Sequence, residues 1–312
     1  MTTIYSHQHF LDHVTGTHPE SPQRLTSIHD TLNTAGWLKS CRQGEVAKVT
    51  LDELAVVHTS KQITDARDLA AAGGGYLDPD TVMSPASYDV ALTAAGTAIA
   101  AVDTVMSGAD ANALCLIRPP GHHATADRSM GFCVFNNVAV AARHAQKKHG
   151  ANRLLIVDWD VHHGNGTQDI FYEDPSVFFY SIHRFPFYPG TGDEGEQGTG
   201  KGRGTTLNVP VQFGVKRELY LDLFQSGLER AVTAARPDLI LISAGFDAHV
   251  DDPVGNLGLN TIDFATMTKS VKEVANTYCN GRIVSCLEGG YHLKALADSV
   301  AAHIGVLAEP RP

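Results

Sequence analysis

The segment IVDWDVHHGNG, residues 156–166, sets two acids and two imidazoles, Asp158, Asp160, His162 and His163, directly behind an apolar run that reads as a buried strand. Taking such groups out of water is costly unless each is paired or bound to a metal. The same arrangement recurs along the chain. RLLIVDWD (153–160) is one of six apolar, β-rich runs, with NALCLIR (112–118), SVFFYSIH (176–183), TTLNVPV (205–211), DLILISAGFD (238–247) and RIVSCLEGG (282–290). They are near-continuous rather than alternating, as expected of strands buried on both faces of a parallel sheet. Helical stretches are read at 88–107, 134–149, 217–235, 261–279 and 292–308. This alternation predicts an α/β fold, a central and mostly parallel sheet with helices on both faces and right-handed crossovers.

The polar residues fall in a telling place. RPPGHH, DWDVHHGNG, SIHR, GFDAHVDD and EGGY each follow the end of an apolar run. In open parallel sheets ligands bind outside the carboxyl ends of strands. These segments should therefore converge on one rim and form a single buried site. The one long irregular stretch, 184–204, is dense in Gly and Pro, and such loops are often functional.

Composition sets the bounds. The 312 residues contain no internal repeat or low-complexity linker, so one domain over 1–312 is expected, a size that α/β folds reach around a single core. With 43% hydrophobic and 19% charged residues the chain is ordinary for a soluble globular protein. No uninterrupted run of about 18 apolar residues suggests a membrane span. The start, MTTIYSHQHF, lacks the basic and apolar regions of a signal peptide, and a cytoplasmic location is the expectation. The five cysteines, Cys41, Cys115, Cys133, Cys279 and Cys286, are scattered without a C-x-x-C pair, which indicates neither a disulfide framework nor a thiolate metal site. A formal charge of −10 argues against general nucleic-acid binding, which needs clustered Lys and Arg.

Three constellations carry chemistry. Asp160 and His162 are two apart, and in extended backbone both would project to one side, with Asp247 at the end of another strong strand as a third donor. A carboxylate–imidazole–carboxylate set with an open position suits hydrolytic Zn²⁺. Spacing alone leaves a metal site and a charge-paired strand end both open. His122 and His123 follow a stiff Pro119–Pro120 approach and a bend at Gly121, and suit proton transfer. Asp158 could orient one of those imidazoles. Tyr291, after two glycines, offers a phenol that can donate to an oxyanion.

GEQGTGKGRG (195–204) nearly fits the phosphate-loop pattern, with Gly195, Gly200 and Lys201 in register. Gly202 stands where a Ser or Thr hydroxyl should hold Mg²⁺, and more glycine follows instead of a helix. Nucleotide binding is not expected there.

Together RPPGHHA, GFCVFNNVAVAA, VDWDVHHGNGTQ, SIHR, GTGDEGEQGTGKGRG, SAGFDAH and EGGY, in this order and preceded by GTHPESPQRL (16–25), resemble the zinc-dependent histone deacetylase family, and most closely its class II branch with the bacterial deacetylase-like amidohydrolases. The resemblance implies a single-domain arginase/deacetylase-like fold and a hydrolase that removes acetyl or other acyl groups from lysine side chains or similar amines. It implies Asp160, His162 and Asp247 as zinc ligands, with Fe²⁺ as the alternative ion in the cell. His123 becomes the general base and then acid, His122 paired with Asp158 its electrostatic support, and Tyr291 the donor to the acyl oxygen. A structural K⁺ is implied at Asp158, Asp160, His162 and Ser181. The substrate tunnel would be lined by Gly131, Phe132, Tyr188 and Val254, with Tyr188 in place of the family's more usual phenylalanine. Asn165 beside His123 and Glu288 in EGGY follow the class II pattern.

The resemblance leaves the amine open. An acetylpolyamine deacetylase is the alternative, and Val254 stands where one polyamine-specific branch carries Glu. A non-catalytic, metal-dependent reader of acyl groups would not need Tyr291, and an arginase-like dimanganese enzyme would need further Asp and His ligands. An acylated lysine or amine is the expected partner, with neither nucleic acid nor membrane, and homo-oligomerisation is left open.

Overall fold

In the computed structural model, which describes residues 2–310, the strands are β1 (Thr2–Tyr5), β2 (Arg42–Gln43), β3 (Gly75–Tyr76), β4 (Val82–Met83), β5 (Asn112–Cys115), β6 (Leu154–Asp158), β7 (Val177–Arg184), β8 (Thr206–Val211), β9 (Leu239–Ala244) and β10 (Ile283–Leu287). Eight of them form one sheet in the order β2-β1-β5-β10-β9-β6-β7-β8, and every neighbouring pair is parallel. β3 and β4 form a separate antiparallel hairpin. Every residue of β5, β6, β9 and β10 is buried, which is why these segments are apolar without alternation.

The helices fall into two packed groups that cover the two faces. Ser87–Met106 and Asn137–His149 pack together, and Gln23–Thr34, Arg217–Ala235, Thr261–Tyr278 and Leu293–Ala308 form the other layer. From β6 the chain winds outward through β7 and β8, whereas from β9 it winds the other way to β10. The reversal lies between β6 and β9. Chains leaving those two strands diverge, and the crevice at their carboxyl ends is where an open parallel sheet binds its ligand.

Several expectations need correction. β6 stops at Asp158, so Asp160 and His162 lie in the loop beyond it and share no strand face. The helix expected from 134 starts at Asn137, because the Asn136 side chain accepts from Ala139 N at 3.0 Å and caps it there. β1 and the helices Gln23–Thr34 and Ser60–Ala71 were not foreseen. Ser87–Met106 is, by length and composition, the one helix among the described residues that could cross a membrane, against the expectation of none, although 67% of that window is buried inside the protein. Its apolar run is interrupted by Thr93, Thr97 and Asp103, which hides it from a search for unbroken runs. Gly200–Gly202 is a single 3-10 turn that leads into β8, so no phosphate-binding helix follows the glycines.

Candidate active site

The loop after β6 is shaped by its own acids. Asp158 Oδ1 accepts from Asp160 N at 3.1 Å, and Asp160 Oδ1 accepts from His162 N at 2.9 Å. Two successive side-chain-to-backbone turns of this kind bend the chain sharply at the end of the strand. Asp160 and His162 thereby meet through a turn, not through strand periodicity, and His162 Nδ1 comes to 3.0 Å from Asp160 Oδ1. Asp247 arrives from the loop after β9. Its Oδ1 accepts from Val161 N at 2.9 Å, and its Oδ2 stands 3.1 Å from His162 Nδ1.

All three side chains are buried, and their donor atoms lie within 4.8 Å of one another. His162 Nδ1 carries one proton at most, yet two carboxylate oxygens face it. Asp247 Oδ2 is left buried without a hydrogen bond. Gly289 completes the cradle: its N–H donates to Asp160 Oδ2 at 2.8 Å, and a Cβ on it would strike both Asp160 Oδ2 and Asp247 Oδ2. Burial and the neighbouring Asp160 charge push the Asp247 carboxyl up to about 7. Burial alone would raise Asp160, but the cationic His122 and His162 outweigh it and lower this carboxyl. Two crowded carboxylates, an orphaned oxygen and an imidazole fit a divalent cation.

A histidine pair lies alongside. His122 Nδ1 is 3.0 Å from Asp158 Oδ2, and Asp158 and Asp160 raise this imidazole to about 10 against the effect of burial. His123 differs. Its Nδ1 is 2.8 Å from Asn165 Oδ1, an oxygen that only accepts, so the proton sits on Nδ1 and Nε2 is left as a base. Burial and the cationic His122 and His162 hold His123 well below the ordinary range. Gly131, at φ +57°, is required beside it, because a Cβ would meet the His123 ring.

Tyr291 is fixed by groups to which the sequence reading gave no role. Its N–H donates to Asp252 Oδ2 at 2.6 Å, and the Arg24 guanidinium lies 5.1 Å from its ring centroid. Arg24 donates to Gly290 O at 2.7 Å and to Glu288 O at 2.5 Å, clamping the EGGY turn from within the core. Glu20 holds Arg24 and Arg118 together there. Burial and the Asp247 charge raise the phenol well above its usual range, so it remains an O–H donor.

His123, His162 and Tyr291 line one cavity of about 220 Å³ with Gly131, Phe132, Phe187, Tyr188, Val254 and Asp80. All four expected tunnel residues are present. Tyr188 packs edge-on to His123 with centroids 5.2 Å apart, and Phe132 edge-on to Tyr291 at 5.8 Å. Phe187, which was not foreseen, stacks on His162 at 5.1 Å and shares the wall assigned to Tyr188. Asp80 was missed as well, and its Oδ1 is buried without a partner. Ser181 lies beside Asp158 in the β6–β7 register, with its hydroxyl 2.8 Å from His183 Nδ1. His163 bonds Thr191 and Gln168, away from this cavity.

A cation cradle, a neutral imidazole with a free nitrogen and a phenolic donor around one cavity are the equipment for breaking an amide with water. The fold and site thus define a metal-dependent hydrolase. Sequence comparison narrows the class: residues 18–307 match the histone deacetylase domain, and the chain belongs to that family. It is 40% identical to Histone deacetylase 14, chloroplastic, of Arabidopsis thaliana, over 96% of this chain and 74% of that protein. It is 39% identical to the histone deacetylase-like amidohydrolase of Pseudomonas aeruginosa, over 88% of this chain and 72% of the relative. Among solved structures, the HDA15 HD domain superimposes with a TM-score of 0.94 at 38% identity, covering 98% of this chain and 87% of the other.

Proposed function

We propose that the chain hydrolyses the acyl amide of an acylated lysine side chain, releasing a carboxylate and the free amine. The observation that carries this reading is the cluster of Asp160, His162 and Asp247, which reaches through His162 an aromatic-walled cavity shared with a neutral His123 and a protonated Tyr291. Zn²⁺ is the ion proposed for that set, with Fe²⁺ as its alternative, and it supplies Lewis-acid activation of water and of the acyl carbonyl. His123 Nε2 takes the proton of the attacking water and later gives it to the departing amine. The Tyr291 hydroxyl donates to the oxyanion that develops on the acyl oxygen as water adds to the carbonyl carbon. His122, held by Asp158, keeps a positive charge beside this chemistry, and Asn165 keeps His123 in the tautomer that leaves Nε2 open. Phe132, Phe187 and Tyr188 sheath an aliphatic stem and exclude water around it. K⁺ is proposed for the Asp158, Asp160, His162 and Ser181 neighbourhood as a structural ion.

A second reading, an acylated polyamine as substrate, draws support from Asp80. Its carboxyl group, which lines the cavity with the Asp78 carboxyl beside it, would suit a further substrate cation. A relative makes the comparison concrete: the chain is 39% identical to the polyamine deacetylase HDAC10 of Homo sapiens over 94% of its length and 45% of that protein. Against it, the wall at Val254 is apolar. The deciding experiment compares kcat/KM for acetyl-lysine peptides, longer acyl-lysines and acetylpolyamines, because specificity resides in that ratio. Acetyl-lysine peptides should give the highest value. A higher value for acetylpolyamines, lost in Asp80→Asn, would transfer the assignment to the second reading.

A further inference from the structure

Away from the cavity, two imidazoles without a part in that hydrolysis converge on a single carboxylate oxygen. Asp103 belongs to helix Ser87–Met106, and His144 and His149 to helix Asn137–His149, which packs against it. His144 Nε2 lies 2.8 Å and His149 Nε2 2.7 Å from the same Asp103 Oδ1. The three atoms fall within 4.8 Å of one another.

The surroundings hold these groups in a ligating pose. Lys148 Nζ binds the other carboxylate oxygen, Asp103 Oδ2, at 2.8 Å and fixes the orientation of the first. Glu53 Oε1 stands 3.7 Å from His144 Nδ1. At that distance this is a charge contact and not a hydrogen bond, on the side of the imidazole where a carboxylate orients metal-bound histidines. The other Glu53 oxygen is already taken by the Thr50 cap, so Oε1 is the one free for this role.

Access and size also fit. A cavity of about 300 Å³ opens beside His144, lined also by Glu53, Val56 and Val140 and by the cations Arg143, Lys147 and Lys148. His144 is 9% and His149 18% exposed, sheltered yet reachable. A tetrahedral ion with bonds of about 2.0–2.1 Å needs donor atoms about 3.3 Å apart. The two nitrogens stand 2.8 and 2.7 Å from Asp103 Oδ1, so each would move out by about 0.5 Å to reach that value.

We propose that Asp103, His144 and His149 form a peripheral site for a divalent first-row transition metal, bound through Asp103 Oδ1 and the two Nε2 atoms with water in the fourth position. Two imidazoles and one carboxylate favour Zn²⁺ and its neighbours over Mg²⁺ or Ca²⁺. Bound there, the ion cross-links the two helices that cover one face of the sheet.

The test strips the full chain with a chelator and titrates it with Zn²⁺ alone, counting bound metal per chain and recording thermal midpoints. The parent should bind two equivalents, the second raising the midpoint. His144→Ala/His149→Ala should bind one, lose the second rise, and keep its turnover on an acetyl-lysine reporter. Asp247→Ala should retain one equivalent, which the two histidine substitutions then remove. A parent that binds a single equivalent, or a histidine double variant that still binds two, overturns the proposal. The metal count does not depend on hydrolysis, so a failed deacetylase assay and a failed peripheral site give different results.

Discussion

His162 Nδ1 faces carboxylate oxygens of Asp160 and Asp247 at 3.0 and 3.1 Å with one proton to offer. A dication among the three donors answers both carboxylates, which a proton cannot do. Two residues then divide the remaining work. Tyr291→Phe should leave metal content intact and lower kcat by about 10²–10³, the loss typical of one oxyanion donor; measured turnover equal to the parent's would remove the phenol from the mechanism. Asn165→Asp would put a negative charge on His123 Nδ1 and raise that imidazole's pKa. His123 works as a base only when neutral, so the acid limb of the kcat/KM profile should move to higher pH. An acid limb that stays in place would mean another group is the base.

At the scale of elements, the site is made by strand ends and their turns. The six apolar runs were legible because parallel strands buried on both faces need apolar side chains everywhere. β1 was not, since Thr2–Tyr5 is four residues long and gains its burial from β5 and β2. Helix Gln23–Thr34 hid for a different reason: it buries Arg24 alongside Leu25, Ile28 and Leu32, and only the fold reveals that Glu20 pairs with that arginine. The donors Asp160, His162 and Asp247 could be named from the sequence, but their convergence rests on two acid-capped turns and on Gly289. The sequence shows the D-x-D-x-H spacing that permits such turns, whereas the neighbouring glycine becomes meaningful only when both carboxylates are seen against it. Gly289→Ala should therefore cut metal affinity by at least about tenfold, the scale of lost supporting contacts, with the circular dichroism of the parent. Full metal occupancy in that variant at limiting metal would show that the cradle tolerates a methyl group.

For the whole molecule, the reversal of winding between β6 and β9 brings donors 87 residues apart, Asp160 and Asp247, to one crevice. Two buried histidines tie the framework to pH. His58 accepts from Asn136 N at 2.9 Å through Nε2, with its Nδ1 3.0 Å from Thr125 O, so it must stay neutral, and burial lowers it to about 4. His303 lies between Thr268 and Ser285 and is lowered by burial to about 3. Each folded value is below the ordinary 6.5, so the unfolded chain takes up these protons first as pH falls. Their stabilising effect is complete above about pH 6.5 and is lost progressively toward pH 4, on the order of 3 kcal/mol for His58. The urea midpoint of the parent relative to His58→Gln should fall between pH 7 and pH 5; a constant difference over that range would contradict the neutral assignment.

The central claim is that Asp160, His162 and Asp247 hold the one ion on which hydrolysis depends. The most direct measurement removes metal with a chelator and follows amine release from an acetyl-lysine peptide as Zn²⁺ is returned. Activity should vanish on stripping and return as Zn²⁺ is restored, with no recovery in Asp247→Ala. Undiminished amine release from the stripped chain, or full recovery in Asp247→Ala, would contradict it.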